Sequence, residues 1–203
     1  KEYENQLKIR KVSEEDRPLI FGVVQGGNNK DLRKKCVDEL MAIGFDGYGF
    51  GGWPIDDEGK LLEMVGFVAE LVGSEFPKHA LGIGKPENLV RAFNAGYEIF
   101  DCVIPTRDAR HKRLYTFKNY DSIEGIDDLA DGFYKYIYMQ DDIHIKDFRP
   151  IEDGCDCHTC RHFTRSYLHH LFKIGDTLAN RLATIHNLRF YTRLTDKLRQ
   201  LNG

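Results

Sequence analysis

The chain contains a repeated unit, in which a short apolar run is followed by a glycine-containing loop and then by a helical pattern. The first unit begins at residue 19, and three less perfect units follow it. The apolar runs are residues 19–24, 47–50, 80–83 and 99–104. Continuous apolar runs of this length are typical of strands buried on both faces of a parallel sheet. Their alternation with helices predicts an α/β fold with right-handed connections. Four such units make either half of an eight-fold barrel or a small doubly wound sheet.

The helical segments between these strands carry recognisable boundaries. Asn29 is suited to cap the first helix and Gly44 to end it. Pro86 is suited to the first turn of the third helix. The predicted inward-facing residues are Leu32, Cys36, Leu40 and Ile43 in the first helix and Leu61, Val65, Val68 and Val72 in the second.

Polar and glycine residues follow the predicted strands at the ends where α/β folds gather their active sites. Gln25, Gly51 and Gly52 follow the first two strands, and residues 82–85 and 101–107 follow the last two. We expect these loops to face a common mouth, although a glycine taken alone usually serves only the turn. Residues 82–86 could hold phosphate at a helix start, which keeps a sugar-phosphate enzyme open as a weakly supported hypothesis.

Asp101 begins an otherwise apolar run that ends abruptly in cations. A strand predicted at residues 114–117 suggests a β-hairpin and brings further basic residues to the same place. The chain has a net charge of only −3, so nucleic acid would have to be bound by this local cluster rather than by a general basic field. The predicted patch comprises Arg107, Arg110, Lys112 and Arg113.

Residues 118–146 are acidic and aromatic. The alternation within residues 134–138 predicts a strand, and the acidic flanks predict a solvated insertion to which we assign no chemistry.

Three of the five cysteines lie within six residues, at Cys155, Cys157 and Cys160. Thiolates this close can converge on one soft ion, and zinc is the natural choice, in a reducing compartment. Four protein ligands with no open position would make the site structural rather than catalytic. The candidates for the fourth ligand are His158, His162, His169, His170 and His186, and position on the last long helix favours His186 only slightly.

The last segment has leucines near helical spacing from Leu178 to Leu201, which predicts one amphipathic helix or a helix pair. Its arginines, Arg181, Arg189, Arg193 and Arg199, form either a solvated face or an extension of a nucleic-acid surface. No apolar run approaches the roughly 20 residues of a membrane span, and the N-terminus lacks the apolar core of a signal peptide. We expect a cytoplasmic protein without membrane contact.

Six motifs follow one another along the chain. They are Phe21-Gly22-Val23-Val24-Gln25-Gly26-Gly27, Gly44-Phe45-Asp46-Gly47-Tyr48, Gly82-Ile83-Gly84-Lys85-Pro86-Glu87, Phe100-Asp101-Cys102-Val103-Ile104-Pro105-Thr106-Arg107, Cys155-Asp156-Cys157-His158-Thr159-Cys160 and Thr184-Ile185-His186-Asn187-Leu188-Arg189. In this order they resemble the motifs of the tRNA-guanine transglycosylases, and the resemblance extends from about residue 19 to residue 201. Where that family has a small or aliphatic residue after its paired glycines, this chain has Trp53.

The resemblance implies roles for individual residues. Asp101 would be the nucleophile that exchanges the wobble guanine of tRNA for a 7-deazaguanine such as preQ1 or queuine. Gln25, Gly51 and Gly52 would bind the base, and Cys155, Cys157, Cys160 and His186 would bind structural Zn²⁺. The implied contacts to the tRNA anticodon loop are Gly82, Ile83, Gly84, Lys85, Pro86, Glu87, Asn88, Thr106, Arg107, Asp108, Ala109 and Arg110.

The resemblance covers only the C-terminal half of the family. It implies the C-terminal half of a TIM (β/α)8-type barrel with an appended zinc-binding subdomain and C-terminal helices. We expect barrel units over residues 1–117, an insertion over 118–146, and the zinc-binding subdomain with helices over 147–203. Such a chain would work as a homodimer or with a complementing N-terminal half. The alternative function is a non-catalytic, zinc-stabilised tRNA-binding subunit.

Overall fold

A computed structural model describes residues 1–130 and 132–202, so Asp131 in the predicted insertion and Gly203 in the predicted C-terminal region lie outside the described residues. The chain forms two compact units, one of Lys1–Leu81 with Ala95–Ile99 and one of Gly82–Asn94 with Phe100–Gly203. The predicted limits at residues 117 and 146 stay predictions. The helices are α1 Glu2–Arg10, α2 Lys30–Ile43, α3 Glu63–Val72, α4 Pro86–Asn94, α5 Ile104–Arg110, α6 His158–His162, α7 Arg165–Ile174 and α8 Thr177–Asn202, and the strands are β1 Phe21–Val24, β2 Gly47–Phe50, β3 Lys78–Leu81, β4 Ile99–Asp101, β5 Arg113–Phe117 and β6 Tyr134–Tyr138.

The first four strands form one parallel sheet in the order β1-β2-β3-β4. The β1–β2 register runs from Phe21 opposite Gly47 to Val24 opposite Phe50. Val24 and Phe50 are fully buried, as is Val65 of α3. The predicted α/β fold with a parallel sheet is therefore confirmed, whereas closure into a barrel stays a prediction.

The boundaries of α2 are those predicted, but its predicted inner face is wrong at Leu32 and Ile43, whereas Cys36 and Leu40 are half-buried. The Asn29 side chain accepts a hydrogen bond from the Leu32 amide at 3.0 Å, and Gly44 ends the helix with φ of 84°. Leu32 is 54% exposed and Ile43 70% exposed, whereas Arg33 and Val37 are the buried residues. An arginine can take an inner position because its stem is apolar and its head group finds acceptors there.

Strands β3 and β4 are displaced from their predicted limits. β3 ends at Leu81 because Gly82 already turns the chain with φ of 73°. β4 ends at Asp101, and α5 begins at Ile104 with a proline in its first turn, so the prediction of a strand through residue 104 is wrong. Proline at this position is pre-organised for a helix and ends strand pairing.

In the second unit, β5 pairs antiparallel with β6, as the predicted strands allow. Tyr115 of β5 packs against the rings of Tyr134, Tyr136, Phe190 and Tyr191. The segment predicted as a solvated insertion also contributes buried side chains to this core. The prediction of solvation is wrong for Ile123, Leu129, Phe133 and Met139, and Ile137 is buried within the predicted strand.

The C-terminal leucine pattern forms one helix, α8, rather than a pair. Its inner face includes Leu182, Leu194 and Leu198, all nearly inaccessible to solvent. Within the described residues, no helix combines the length and apolarity that crossing a membrane requires.

Candidate metal centre and active-site residues

Three thiols and one imidazole of the second unit converge on a common point. Within the described residues, Cys155, Cys157, Cys160 and His186 form the group that could hold a metal ion, with their ligand atoms all within 4.8 Å of one another. His186 Nδ1 lies 3.9, 3.7 and 3.3 Å from the sulfurs of Cys155, Cys157 and Cys160. Neighbouring ligands of a tetrahedral zinc ion would stand roughly 3.5–3.8 Å apart, given metal–ligand bonds of about 2.0–2.3 Å. The three distances from Nδ1 to the sulfurs therefore lie close to those of such an ion.

The local sequence explains how the thiols converge. Cys157 caps the N-terminus of α6, where its sulfur accepts a hydrogen bond from the Cys160 amide at 3.3 Å. Thr159, between them, donates from its hydroxyl to the carbonyl oxygen of Leu182 in α8 at 2.7 Å. This bond holds the cysteine turn against the helix that carries His186.

The orientation of His186 is set from its other nitrogen. The ring is fully buried, and its Nε2 lies 2.7 Å from the carbonyl oxygen of Tyr115. A carbonyl can only accept, so the proton is assigned to Nε2 and the lone pair of Nδ1 faces the thiols. Hydrogen bonds from the Cys155 and Cys160 thiols lower the pKa of Cys157, which favours a thiolate there, whereas contacts with Cys155 and Cys157 raise the pKa of Cys160.

A buried ion pair in the same unit joins Glu152, just before the cysteine turn, to Arg193 of α8. Glu152 and Arg193 pair with both side chains only 8% exposed. Glu152 also accepts from the Phe117 amide at 3.0 Å. Burial raises the pKa of Glu152, and Arg193 opposes that shift. The sequence left two roles open for Arg193, a solvated residue or part of a nucleic-acid surface. Its burial excludes both.

Asp101 is the exposed last residue of β4. Its carbonyl oxygen accepts from the Gly82 amide at 3.1 Å. A Cβ added to Gly84 would lie 2.3 Å from the Cys102 sulfur, so only glycine permits this close packing. The hydroxyl of Tyr191 donates to the Gly84 carbonyl at 2.6 Å. The structure thus brings the loop at residues 82–84 and Asp101 together, and the Gly82 amide is already used rather than open to a phosphate.

The basic residues after Asp101 differ in exposure and in how closely they are paired. Arg107 and Arg110 are exposed on α5, and Arg107 Nε lies 3.7 Å from the Asp108 carboxylate. Arg113 instead donates to the Asp108 carboxylate at 2.8 and 3.0 Å and stacks on Tyr136 at 4.9 Å. Asp108 is 1% exposed and also accepts from the Tyr115 hydroxyl. The Arg113 side chain stays 35% exposed while it is paired with Asp108, so its place in the cationic patch stays a prediction.

Asn187 has a structural role that was not predicted from the sequence, where it stood out only as the neighbour of His186. Its amide nitrogen donates to the carbonyl oxygens of Pro105 and Arg113, each at 3.0 Å. Its amide oxygen accepts from the Tyr115 amide at 3.2 Å. A single buried side chain thus connects α8, α5 and β5.

Of the predicted anticodon-loop contacts, half are buried: Ile83, Gly84, Pro86, Asn88, Asp108 and Ala109. These six residues have little accessible surface for a direct contact with RNA. Gly82, Lys85, Glu87, Thr106, Arg107 and Arg110 retain accessible surface.

The predicted base-binding residues lie in the first unit. Gln25 is exposed directly after β1, and Gly51 is buried directly after β2. A Cβ on Gly51 would lie 2.4 Å from Gln25 Nε2, so the amide side chain rests on the glycine backbone. Gly52 is exposed with φ of 96°, a conformation that favours glycine. Trp53 is 75% exposed and lines a cavity of about 460 Å³ together with Arg33 and Asp57.

Comparisons with known proteins give matches to the same kind of protein along nearly the whole chain. A sequence family described as queuine tRNA-ribosyltransferase matches residues 3–201. The queuine tRNA-ribosyltransferase of Azotobacter vinelandii is 40% identical over 192 residues, covering 94% of this chain and 47% of that protein. That of Caldanaerobacter subterraneus is 37% identical over 186 residues, covering 91% of this chain and 45% of that protein. The chain spans about half the length of the curated relatives it matches.

Proposed function

The chain belongs to the queuine tRNA-ribosyltransferase family, and from this premise we propose that it supplies the nucleophile, base-binding loops and RNA-binding surface of a tRNA-guanine transglycosylase. The observation that carries the proposal is Asp101, an exposed carboxylate at the end of β4 with Arg107 and Arg110 on the helix that follows. Strand ends of α/β folds are where active sites gather.

The proposed reaction is a double displacement at one carbon. A carboxylate oxygen of Asp101 attacks C1′ of the wobble guanosine, the bond from C1′ to the base nitrogen breaks, and guanine leaves as that nitrogen takes up a proton. The product is an ester between Asp101 and the ribose. The nitrogen of an incoming 7-deazaguanine, such as preQ1 or queuine, then gives up its proton, attacks C1′ and displaces the carboxylate. A carboxylate suits both steps, because it stabilises oxocarbenium-like charge and is also a good leaving group.

Base recognition is proposed for the loops after β1 and β2. The exposed amide of Gln25 can donate and accept along the edge of a purine-like ring. Gly52 exposes backbone groups that a side chain would cover. Gly51 positions Gln25 by direct contact.

Recognition of the tRNA anticodon loop is proposed for the accessible part of two segments, residues 82–88 and 106–110. Arg107 and Arg110 offer charge to phosphates, and Lys85 and Thr106 offer further donors. Single-stranded loops are the usual targets of sequence-specific RNA binding, since their bases are open to hydrogen bonding.

A structural Zn²⁺ is proposed for Cys155, Cys157, Cys160 and His186, whose donor atoms fit a tetrahedral ion. When bound, the ion would supply folding energy rather than chemistry, since four protein ligands leave no open position. We further propose that this chain forms half of a (β/α)8-type barrel and acts in the cytoplasm, as a homodimer or with an N-terminal half that supplies the remaining acid groups.

Exchange of labelled guanine into tRNA tests the proposal. We expect exchange when this chain is joined to an N-terminal half, and little or none from the chain alone. A second candidate, a non-catalytic tRNA-binding subunit, is favoured by the coverage of only about half of each relative. Binding of tRNA without exchange in the longer protein would support that candidate and contradict the first.

A further inference from the structure

Arg33 of α2 is a buried cation, only 1% exposed. In the part of the chain that the structure describes, no Asp or Glu oxygen pairs with its guanidinium. Burying a charge is costly unless hydrogen bonds compensate for the lost water. The position of Arg33 therefore calls for strong contacts with neutral groups.

Those contacts are backbone carbonyl oxygens of two loops. Nη1 donates to Val24 at 2.6 Å and to Gly51 at 2.9 Å, and Nε donates to Gly27 at 2.9 Å. The guanidinium also stacks on the Phe50 ring at 4.3 Å. Val24 and Gly27 flank Gln25, whereas Phe50 and Gly51 precede Gly52. One side chain thus connects the end of β1 with the end of β2.

The loop backbones approach Arg33 closely. A Cβ added to Gly26 would lie 2.8 Å from the Arg33 backbone nitrogen. A Cβ added to Gly52 would lie 3.5 Å from Arg33 Nη2, so the guanidinium sits directly beside the exposed glycine. Any displacement of Arg33 must therefore move both loops.

We infer that Arg33 is a positioning residue for base recognition, which holds Gln25 and Gly52 at the separation that a 7-deazaguanine requires. This inference rests on the proposed function of those two residues. Arg33 acts through them rather than by touching the base.

The shape of the side chain makes a specific prediction about its replacements. A guanidinium directs several donors in one plane, which allows three carbonyls from two loops to be bound at once. A lysine ammonium is a single point on a flexible stem and cannot span the same acceptors. Burial lowers the pKa of Arg33, yet an arginine keeps its proton in proteins.

The test uses the longer, exchange-competent enzyme with Arg33→Ala and Arg33→Lys. We expect the KM for the incoming base to rise about tenfold or more in both variants, equivalent to about 1.4 kcal/mol. The KM for tRNA should stay within about twofold, because the loops that Arg33 bonds to are those proposed to bind the base. Added ethylguanidinium should restore the base KM of Arg33→Ala, in which the space of the side chain is free, but not that of Arg33→Lys.

Val37→Ala is the matched control, since Val37 is 1% exposed on the same helix and makes no bond to either loop. It should lower the melting temperature without changing the base KM. An unchanged base KM in Arg33→Ala, or an equal rise in Val37→Ala, would overturn the inference.

Amide hydrogen exchange of residues 25–27 and 50–53 separates this inference from the proposed function. Arg33→Ala should accelerate exchange in both loops, and Val37→Ala should not, whether or not the protein turns over tRNA. Faster loop exchange in an enzyme without transglycosylase activity would contradict the proposed function but not the coupling of the loops. Unchanged loop exchange would refute the coupling itself.

Discussion

The Nε2 atom of His186 lies 2.7 Å from the carbonyl oxygen of Tyr115. This bond leaves the Nδ1 lone pair directed at the three thiols, and it joins the metal cluster to strand β5. Tyr115 in turn lies at the centre of the aromatic core and donates its hydroxyl to Asp108. Metal binding should therefore stabilise the β5–β6 pair and α5 as well as the cysteine turn.

Replacing a metal ligand should remove the ion. Cys157→Ser and His186→Ala should each reduce the zinc content from one per chain to nearly none, measured by elemental analysis. Both should also lower the melting temperature, because metal-binding energy is folding energy in such sites. Cys36→Ser is the control, as this cysteine lies in the first unit and outside the cluster. Retention of stoichiometric zinc in His186→Ala would contradict the ligand assignment.

Breaking the Glu152–Arg193 pair from one side should be strongly destabilising. Arg193→Met leaves a buried carboxylate without its cation, which costs on the order of 3–5 kcal/mol of unfolding free energy. It also removes the guanidinium from the Tyr120 ring, which it stacks on at 4.1 Å. Denaturant unfolding measures the loss.

The exposed pair of Arg199 and Asp196 is the matched comparison. Its side chains are 65% and 47% exposed, and exposed pairs contribute about 0–1 kcal/mol. Arg199→Met should therefore have little effect on unfolding. Equal effects of Arg193→Met and Arg199→Met would show that the buried pair is not special.

His144 should make stability pH-dependent. Its side chain is 4% exposed, and burial is the main reason that its pKa is lowered from 6.5, with Arg165 and His169 lowering it further and Asp147 and Asp141 opposing. A lowered histidine pKa means that the unfolded chain binds the proton more tightly. The contribution of neutral His144 to the free energy of unfolding is therefore fully present above about pH 6.5. It is lost as the pH drops from there toward the lower pKa of the folded state.

His144→Gln should make the unfolding free energy less dependent on pH between about pH 7 and pH 5, because the titrating group is gone. His170→Gln, at an exposed position of α7, serves as the control and should keep the dependence of the parent protein. An equally steep dependence in His144→Gln would rule out His144 as the cause.

Arginines at and after α5 should separate into RNA-binding and structural residues. Arg107→Ala and Arg110→Ala should weaken tRNA binding, and each should reduce the salt slope of binding by about 0.7–0.9 for every phosphate that the arginine neutralises. Arg113→Ala should instead lower the melting temperature, since Arg113 pairs with buried Asp108. A melting temperature unchanged in Arg113→Ala would contradict this division.

The strand pattern, the Asn29 cap and the cysteine spacing were predictable from the sequence because each depends on residues close together in the chain. Arg33 was not, since its burial depends on carbonyls of two loops that periodicity cannot bring together. The helical pattern of α2 favoured Leu32 and Ile43 as core, yet both are exposed. Likewise, the hydrogen-bond donors to Asp108 are Arg113 and Tyr115 in the next strand. The sequence alone placed Asp108 only among basic residues and did not predict its burial.

The most direct test of the proposed mechanism is the covalent complex between Asp101 and tRNA. Before an incoming 7-deazaguanine is added, the exchange-competent protein should form a complex with tRNA that survives denaturing electrophoresis. Asp121→Asn, which changes an exposed carboxylate of the same unit, should leave the complex intact. We expect Asp101→Ala to abolish the complex, and an undiminished complex in that variant would contradict the assignment of Asp101 as the nucleophile.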